Sequence, residues 1–122
     1  MGDSLYEMGQ TAKAKSSYKV ALKGQPLLAG ALLGFGRCLL KEKRLKDSVV
    51  YLERAVRSKP NLIEAHYLLG RVFEKSQPRK AIKYYNKFRK LALSDPEYIS
   101  KAQKVKSRII ALRSNVQGKA SK

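Results

Sequence analysis

Apolar positions recur along this chain at helical spacing, in segments parted by short polar breaks. The run "LLAGALLGFGRCLLKEK" carries Leu32, Phe35, Leu39 and Leu40 on one stripe of spacing three and four. The break "KEKRLKD" interrupts it, and "SVVYLERAVRSKP" then sets Val49, Leu52, Ala55 and Val56 on a second stripe that Pro60 ends. "IEAHYLLGRVFEKS", the break "QPRK" and "AIKYYNKFRKLAL" repeat the alternation. Pro26 and Pro60 suit the junctions, since proline disfavours helix in the residue before it and tolerates a helix start after it. Past Pro96, the stretch "EYISKAQKVKSRIIALRSNVQ" keeps Ile99, Ala102, Val105, Ile109, Leu112 and Val116 on one stripe, with Lys101, Lys104, Arg108 and Asn115 opposite. The pattern predicts paired helices followed by one last amphipathic helix.

The pairs are copies of one another. A shift of 34 residues superposes Gly2, Gly36 and Gly70, and likewise Leu5, Leu39 and Phe73. Ala14 then falls on Ser48, Tyr18 on Leu52, Ala21 on Ala55 and Pro26 on Pro60. From Gln77 the third copy is one residue short; restoring that residue aligns Ala81, Tyr85 and Phe88 with the same positions. A fixed period of this length marks a helical solenoid. Gly36 and Gly70 lie mid-helix, where glycine costs roughly 1 kcal/mol against alanine. Their recurrence predicts close approach of the paired helix, with the small residues Ala14, Ser48 and Ala81 facing them.

Leu32, Phe35, Gly36 and Leu39, followed by Ser48, Leu52, Ala55 and Pro60, resemble the tetratricopeptide repeat (TPR), as does "YLLGRVFEKSQPRKAIKYYNKF" with its Leu69–Gly70 pair. "LYEMGQTAKAKSSYKVALKGQP" is similar to the second half of an earlier copy, with Gly9 at the inter-helix turn. The resemblance implies an all-α solenoid of helical hairpins, about two and a half repeats, closed by a C-terminal capping helix. Its expected layout is an array over residues 1–96, made of a partial repeat 1–28, a repeat 29–62 and an atypical repeat 63–96. A capping helix over 97–117 with a polar outer face and a basic tail over 118–122 complete it. His66 in a large apolar slot, Phe88 in a small one and Leu93 in place of the terminal proline depart from the pattern. They predict that the third unit packs loosely or ends the array atypically. The first copy lacks the opening half of its first helix, which predicts either a longer array upstream or another chain covering that edge, by self-assembly for example.

Composition changes the picture through charge. The 27 Lys and Arg residues outnumber 9 Asp and Glu, a formal net charge of +18 over 122 residues, which favours anionic partners. The lone Cys38 excludes an internal disulfide and reads as a buried thiol. His66 is the single histidine, and Glu64 two residues away lies on another helix face. No catalytic constellation, phosphate loop or metal-ligand set appears, so the reading is of a noncatalytic protein without a cofactor. The N-terminus has no apolar run of signal-peptide length, and a cytoplasmic location is expected.

In TPR proteins the first helix of each unit lines a concave groove, and the resemblance implies the same here. Leu33, Arg37 and Lys41 share a helix face at spacing four, and Tyr67, Arg71 and Lys75 repeat that spacing one unit on. Asp3, Tyr6 and Glu7 would be the less basic contribution of the first copy. These six residues suit an acidic protein or peptide segment with an apolar or aromatic anchor, because guanidinium groups take carboxylates in paired hydrogen bonds. The clamp of lysine, asparagine and arginine with which some TPR proteins grip a chaperone's C-terminal carboxylate is not implied: Leu33, Gly34 and Leu68 stand in such first-helix slots. Nucleic acid, RNA above all, is the alternative partner, through Lys80, Lys83, Lys87, Lys101, Lys104 and Arg108 as an edge or convex patch. An anionic membrane is a poorer match, since the lysines are spread over several helices.

Overall fold

A computed structural model describes the backbone of residues 2–120 and the side chains of residues 10–116. The described residues are all-α: α1 (Gly2–Gly24), α2 (Ala29–Lys41), α3 (Leu45–Ser58), α4 (Ile63–Ser76), α5 (Pro78–Ala92), a short 3₁₀ turn (Pro96–Tyr98) and α6 (Ile99–Ala120). The chain divides between Leu62 and Ile63 into two compact units.

In the first unit α2 packs against both α1 and α3. The stripe Leu32, Phe35 and Leu39 of α2 meets Ser48, Leu52 and Ala55 of α3, and all six are buried. A side chain on Gly36 would have its Cβ 2.9 Å from the Leu52 Cδ2 and Cγ atoms, with the Ser48 carbonyl oxygen 3.5 Å away. Close approach is therefore the reason for this glycine. Ser48 does face Gly36, through its carbonyl, but the side chain over the glycine is Leu52, one turn on, and over Gly70 it is Tyr85. Helical side chains lean toward the N-terminus of their own helix, so the spot beside Ser48 is covered by the residue a turn later. Gly34 has a similar neighbour, the ring of Tyr18 from α1. The buried Ser48 hydroxyl is satisfied, Oγ donating to the Leu45 carbonyl at 2.7 Å.

α1 departs from expectation at Gly9, where the helix runs straight through the predicted turn. One glycine costs only about 1 kcal/mol in a helix, and the flanking Glu7, Met8, Gln10, Ala12 and Lys13 are good helix formers. The side chains of Asp3, Leu5, Tyr6 and Glu7, and the glycine matched at position 2, lie outside the described side chains.

The two interhelical turns explain the missing residue of the third copy. α2 ends with Arg44 N–H donating to Leu39 O at 2.9 Å and Lys43 N–H to Leu40 O at 3.0 Å. Lys43 takes the left-handed conformation this turn requires, at φ 61°. In the second unit Gln77 alone separates α4 from Pro78, the first residue of α5. Its backbone, φ −140° and ψ 76°, stays out of the helical region that a following proline disfavours, and no left-handed residue is needed.

The second unit is not loosely packed. Ala65, Leu69, Ala81, Tyr85 and Phe88 are all buried to within 1% of complete, and Val105, Ile109 and Leu112 of α6 close the core. Phe88 fills its small-residue slot by meeting the Tyr67 ring at 5.3 Å and the Tyr98 ring at 6.0 Å. His66 is buried too, 6.1 Å from the Tyr84 ring. The ending is atypical: α5 stops at Ala92, Leu93 stands 82% exposed, and Asp95 Oδ1 accepts from Glu97 N–H to start the 3₁₀ turn. The outer face of α6 is not wholly polar, since Ile99 and Ile110 are 47% and 61% exposed. α6 also continues through Gly118 to Ala120, where a tail was expected; the last two residues lie outside the described ones.

Candidate functional site

The six residues expected to meet a partner fall on α2 and α4. On α2, Leu33 is half-buried while Arg37 and Lys41 are exposed. The following Glu42 is engaged by Lys15 of α1, whose Nζ lies 2.7 Å from Oε1 and 3.1 Å from Oε2. That acid therefore offsets a lysine of α1. On α4, Tyr67 is half-buried while Arg71 and Lys75 are exposed.

The second unit adds residues that the sequence reading grouped elsewhere. The Tyr67 ring lies 6.2 Å from the Tyr85 ring and 5.3 Å from that of Phe88, which fixes it against the core. Two cations attend it: the Arg71 guanidinium at 5.9 Å from the ring centre and the Lys101 ammonium of α6 at 4.7 Å. A cation over a tyrosine face is held by the ring's quadrupole, by ~0.5–1 kcal/mol where solvent reaches it. One turn along α4, Glu74 receives Arg108 of α6 in a forked pair, Nε to Oε1 at 2.9 Å and Nη2 to Oε2 at 2.7 Å. The Tyr85 hydroxyl donates to the same Oε1. Partial burial pushes the Glu74 carboxyl up, but the hydrogen bonds from Arg108 and Tyr85, with the charges of Arg108 and Arg71, outweigh it and leave the group below its ordinary range. Burial, and then the bond to Glu74, push the Tyr85 phenol far up, so it stays protonated as donor.

The six residues expected as an anionic patch are thus divided. Lys101 and Arg108 touch α4, at Tyr67 and Glu74, and Lys104 lies between them at helical spacing. Lys80, Lys83 and Lys87 run along α5, where Lys80 sits 4.6 Å from the Phe73 ring centre. Glu74 was missed as a member of the α4 row, although its positions three after Arg71 and seven after Tyr67 mark the shared face. The placement of Lys101 beside Tyr67 had no signal in the local sequence, because it depends on how α6 is rotated against α5.

Other chemistry is sparse. Burial pushes the Cys38 thiol up, the direction of an unreactive cysteine. Among the described residues no group of histidine, cysteine and acidic side chains is placed to hold a metal, and no helix is long and apolar enough to cross a membrane.

The glycine contacts, paired helices and period have their counterpart in known proteins. The tetratricopeptide repeat family model matches residues 5–72, more than half of the chain, and a second model of the same description matches residues 64–92. The chain belongs to the tetratricopeptide repeat family. No curated protein shows significant sequence similarity to this TPR chain. Solved structures share its fold. The Yersinia enterocolitica type III secretion translocator chaperone SycD matches with a TM-score of 0.82 and 13% identity, over 93% of this chain and 79% of that one. PcrH in complex with the chaperone binding region of PopD gives 0.79 and 15%, over 93% and 86%. The TPR2B domain of yeast Sti1 in its pHsp70 complex gives 0.75 and 14%, over 93% and 91%.

Proposed function

We propose that this TPR protein is a noncatalytic adaptor that binds an acidic segment of a partner protein through the basic rows of its first helices. Leu33, Arg37 and Lys41 form the row of the first unit; Tyr67, Arg71 and Lys75 form that of the second. The observation that carries the reading is the Tyr67 ring, fixed against Tyr85 and Phe88 and attended by Arg71 and Lys101 from two different helices. A carboxylate approaching that ring meets two cations already in place, and an apolar or aromatic neighbour in the segment has the ring edge to pack on. Glu74 serves as the internal counterpart: it draws in Arg108 and leaves Arg71, Lys75, Lys101 and Lys104 for an external acid. Two of the structural neighbours, PcrH with the chaperone binding region of PopD and Sti1 with pHsp70, are complexes with partners, which agrees with a binding role.

Affinity capture from extracts of the source cells tests the proposal, comparing the native chain with Arg37→Glu/Arg71→Glu, with and without nuclease. Both arginines are exposed, so the double variant should stay folded, losing about 0.5–1 kcal/mol with the Arg71–Tyr67 contact. Acidic proteins captured by the native chain, lost with the variant and indifferent to nuclease are the expected result. Capture that survives the double reversal removes the two rows as the binding residues. Recovery that nuclease abolishes equally for both baits assigns the basic surface to RNA.

A further inference from the structure

A second interaction surface lies on the side of α5 and α6 away from Tyr67. Between these helices runs an open groove of about 610 Å³ whose apolar floor includes Leu93, Ile99 and Ala102. Arg89, Lys90 and Lys106 also line it, and among the described residues no carboxylate does. Leu93 and Ile99 are 82% and 47% exposed, large aliphatic side chains in water at the end of a unit whose interior is closed. The apolar strip does not stop with the groove. Ile110, 61% exposed, follows Ile99 by eleven residues, three helical turns on the same face of α6.

The helix order says what shape this strip fits. α2 packs on α3 and α4 on α5 as pairs, while α6 is a first helix without a second among the described residues. A helix laid along Leu93, Ile99 and Ile110 would occupy the place of that second helix and cover the strip. The charges say what chemistry it carries. A second copy of this chain would bring the same cations against Arg89, Lys90 and Lys106, in a molecule of formal charge +18. We infer that the α5–α6 groove docks an amphipathic helix of a partner protein, with aliphatic residues on one face and acidic residues flanking them. It is a site separate from the Tyr67 row and does not depend on it. Aliphatic side chains at helical spacing would enter the groove, and the flanking carboxylates would reach Arg89, Lys90 and Lys106 at its margin.

The test uses the full chain and a synthetic amphipathic helix of about 18 residues, leucines on one face and glutamates on the other. Amide chemical-shift mapping of the native chain should place the perturbations on residues 86–93 and 99–110. Leu93→Asp/Ile99→Asp and Lys90→Glu/Lys106→Glu should each weaken binding at this groove, read from the shifts of residues 86–93 and 99–110, by about tenfold or more, while Arg71→Glu leaves those shifts unchanged. A helix with lysines in place of the glutamates should not bind. The inference is overturned by perturbations centred on Tyr67 and Arg71, by equal binding of the lysine helix, or by no perturbation at all. A native chain that sediments as a dimer and becomes monomeric with Leu93→Asp assigns the groove to a second copy and overturns it too. All four substituted positions line an exposed groove, and circular dichroism with thermal melting checks that the variants remain folded.

Discussion

Two glycines of the same type and secondary structure have opposite expected behaviour, and the difference is what stands over each Cα. Gly30, in the first turn of α2, has open space where a Cβ would be, so Gly30→Ala reduces the freedom of the unfolded chain and costs nothing in packing. It should stabilise the first unit by a few tenths to about 1 kcal/mol. Gly70 faces the ring of Tyr85, which is itself 1% exposed, bonded to Glu74 and packed near Tyr67. That ring has nowhere to move, so Gly70→Ala should lose ~1–3 kcal/mol through overpacking, partly offset by the better helix propensity of alanine. Urea melts of the two variants beside the native chain measure both signs; a Gly70→Ala protein as stable as Gly30→Ala would mean that the ring slides aside freely.

At the scale of helices, the contact that ties α4, α5 and α6 together is ionic as well as apolar. Glu74 of α4 accepts from Tyr85 of α5 and from Arg108 of α6, and its folded-state pKa is depressed relative to the unfolded chain. The sign follows directly: stability from this carboxylate is fully present above the unfolded pKa, near 4.5, and is lost as pH falls from there through the lower folded value. Glu74→Gln should therefore flatten the acid limb of a melting-temperature profile below about pH 5, while the neutral plateau drops modestly because Arg108 is open to solvent. A variant profile parallel to the native one would show that the fork carries no linkage. Much of this element-level architecture was legible in the sequence. The apolar stripes, the prolines and the 34-residue period located α2 to α5, and the period with Gly36 and Gly70 pointed to helices in contact. Three things were not legible. Gly9 looked like a turn because a family pattern put one there, yet local propensity keeps the helix going. Phe88 looked too large because its slot is small in other repeats, whereas Tyr67 and Tyr98 here leave a space of its own size. The rotation of α6, which brings Lys101 to Tyr67 and leaves Ile99 and Ile110 outside, is decided by its packing on α5 and by nothing within its own stretch.

For the whole molecule the decisive quantity is the imbalance of 27 basic and 9 acidic residues. The acids are too few to offset it, and four of them, Glu42, Asp47, Glu74 and Asp95, make contacts within the chain, with Lys15, Arg44, Arg108 and the 3₁₀ turn. The long-range field is thus positive in sign, and it should act mainly on the rate at which an acidic partner arrives. At physiological ionic strength that field is screened beyond about 8 Å, so contact energy at Tyr67 and Arg71 must hold the partner once it is there. For the captured acidic segment, raising salt from about 0.05 M to about 0.5 M should lower the association rate constant by roughly tenfold or more and change the dissociation rate constant by less than about threefold. Arg71→Glu should mainly raise the dissociation rate, since it removes a group that touches the bound carboxylate. Stopped-flow mixing over a salt series separates the two effects. An association rate indifferent to salt would mean that the net charge serves some other end, and equal salt curves for native and Arg71→Glu chains would mean that the segment is held away from the Tyr67 row.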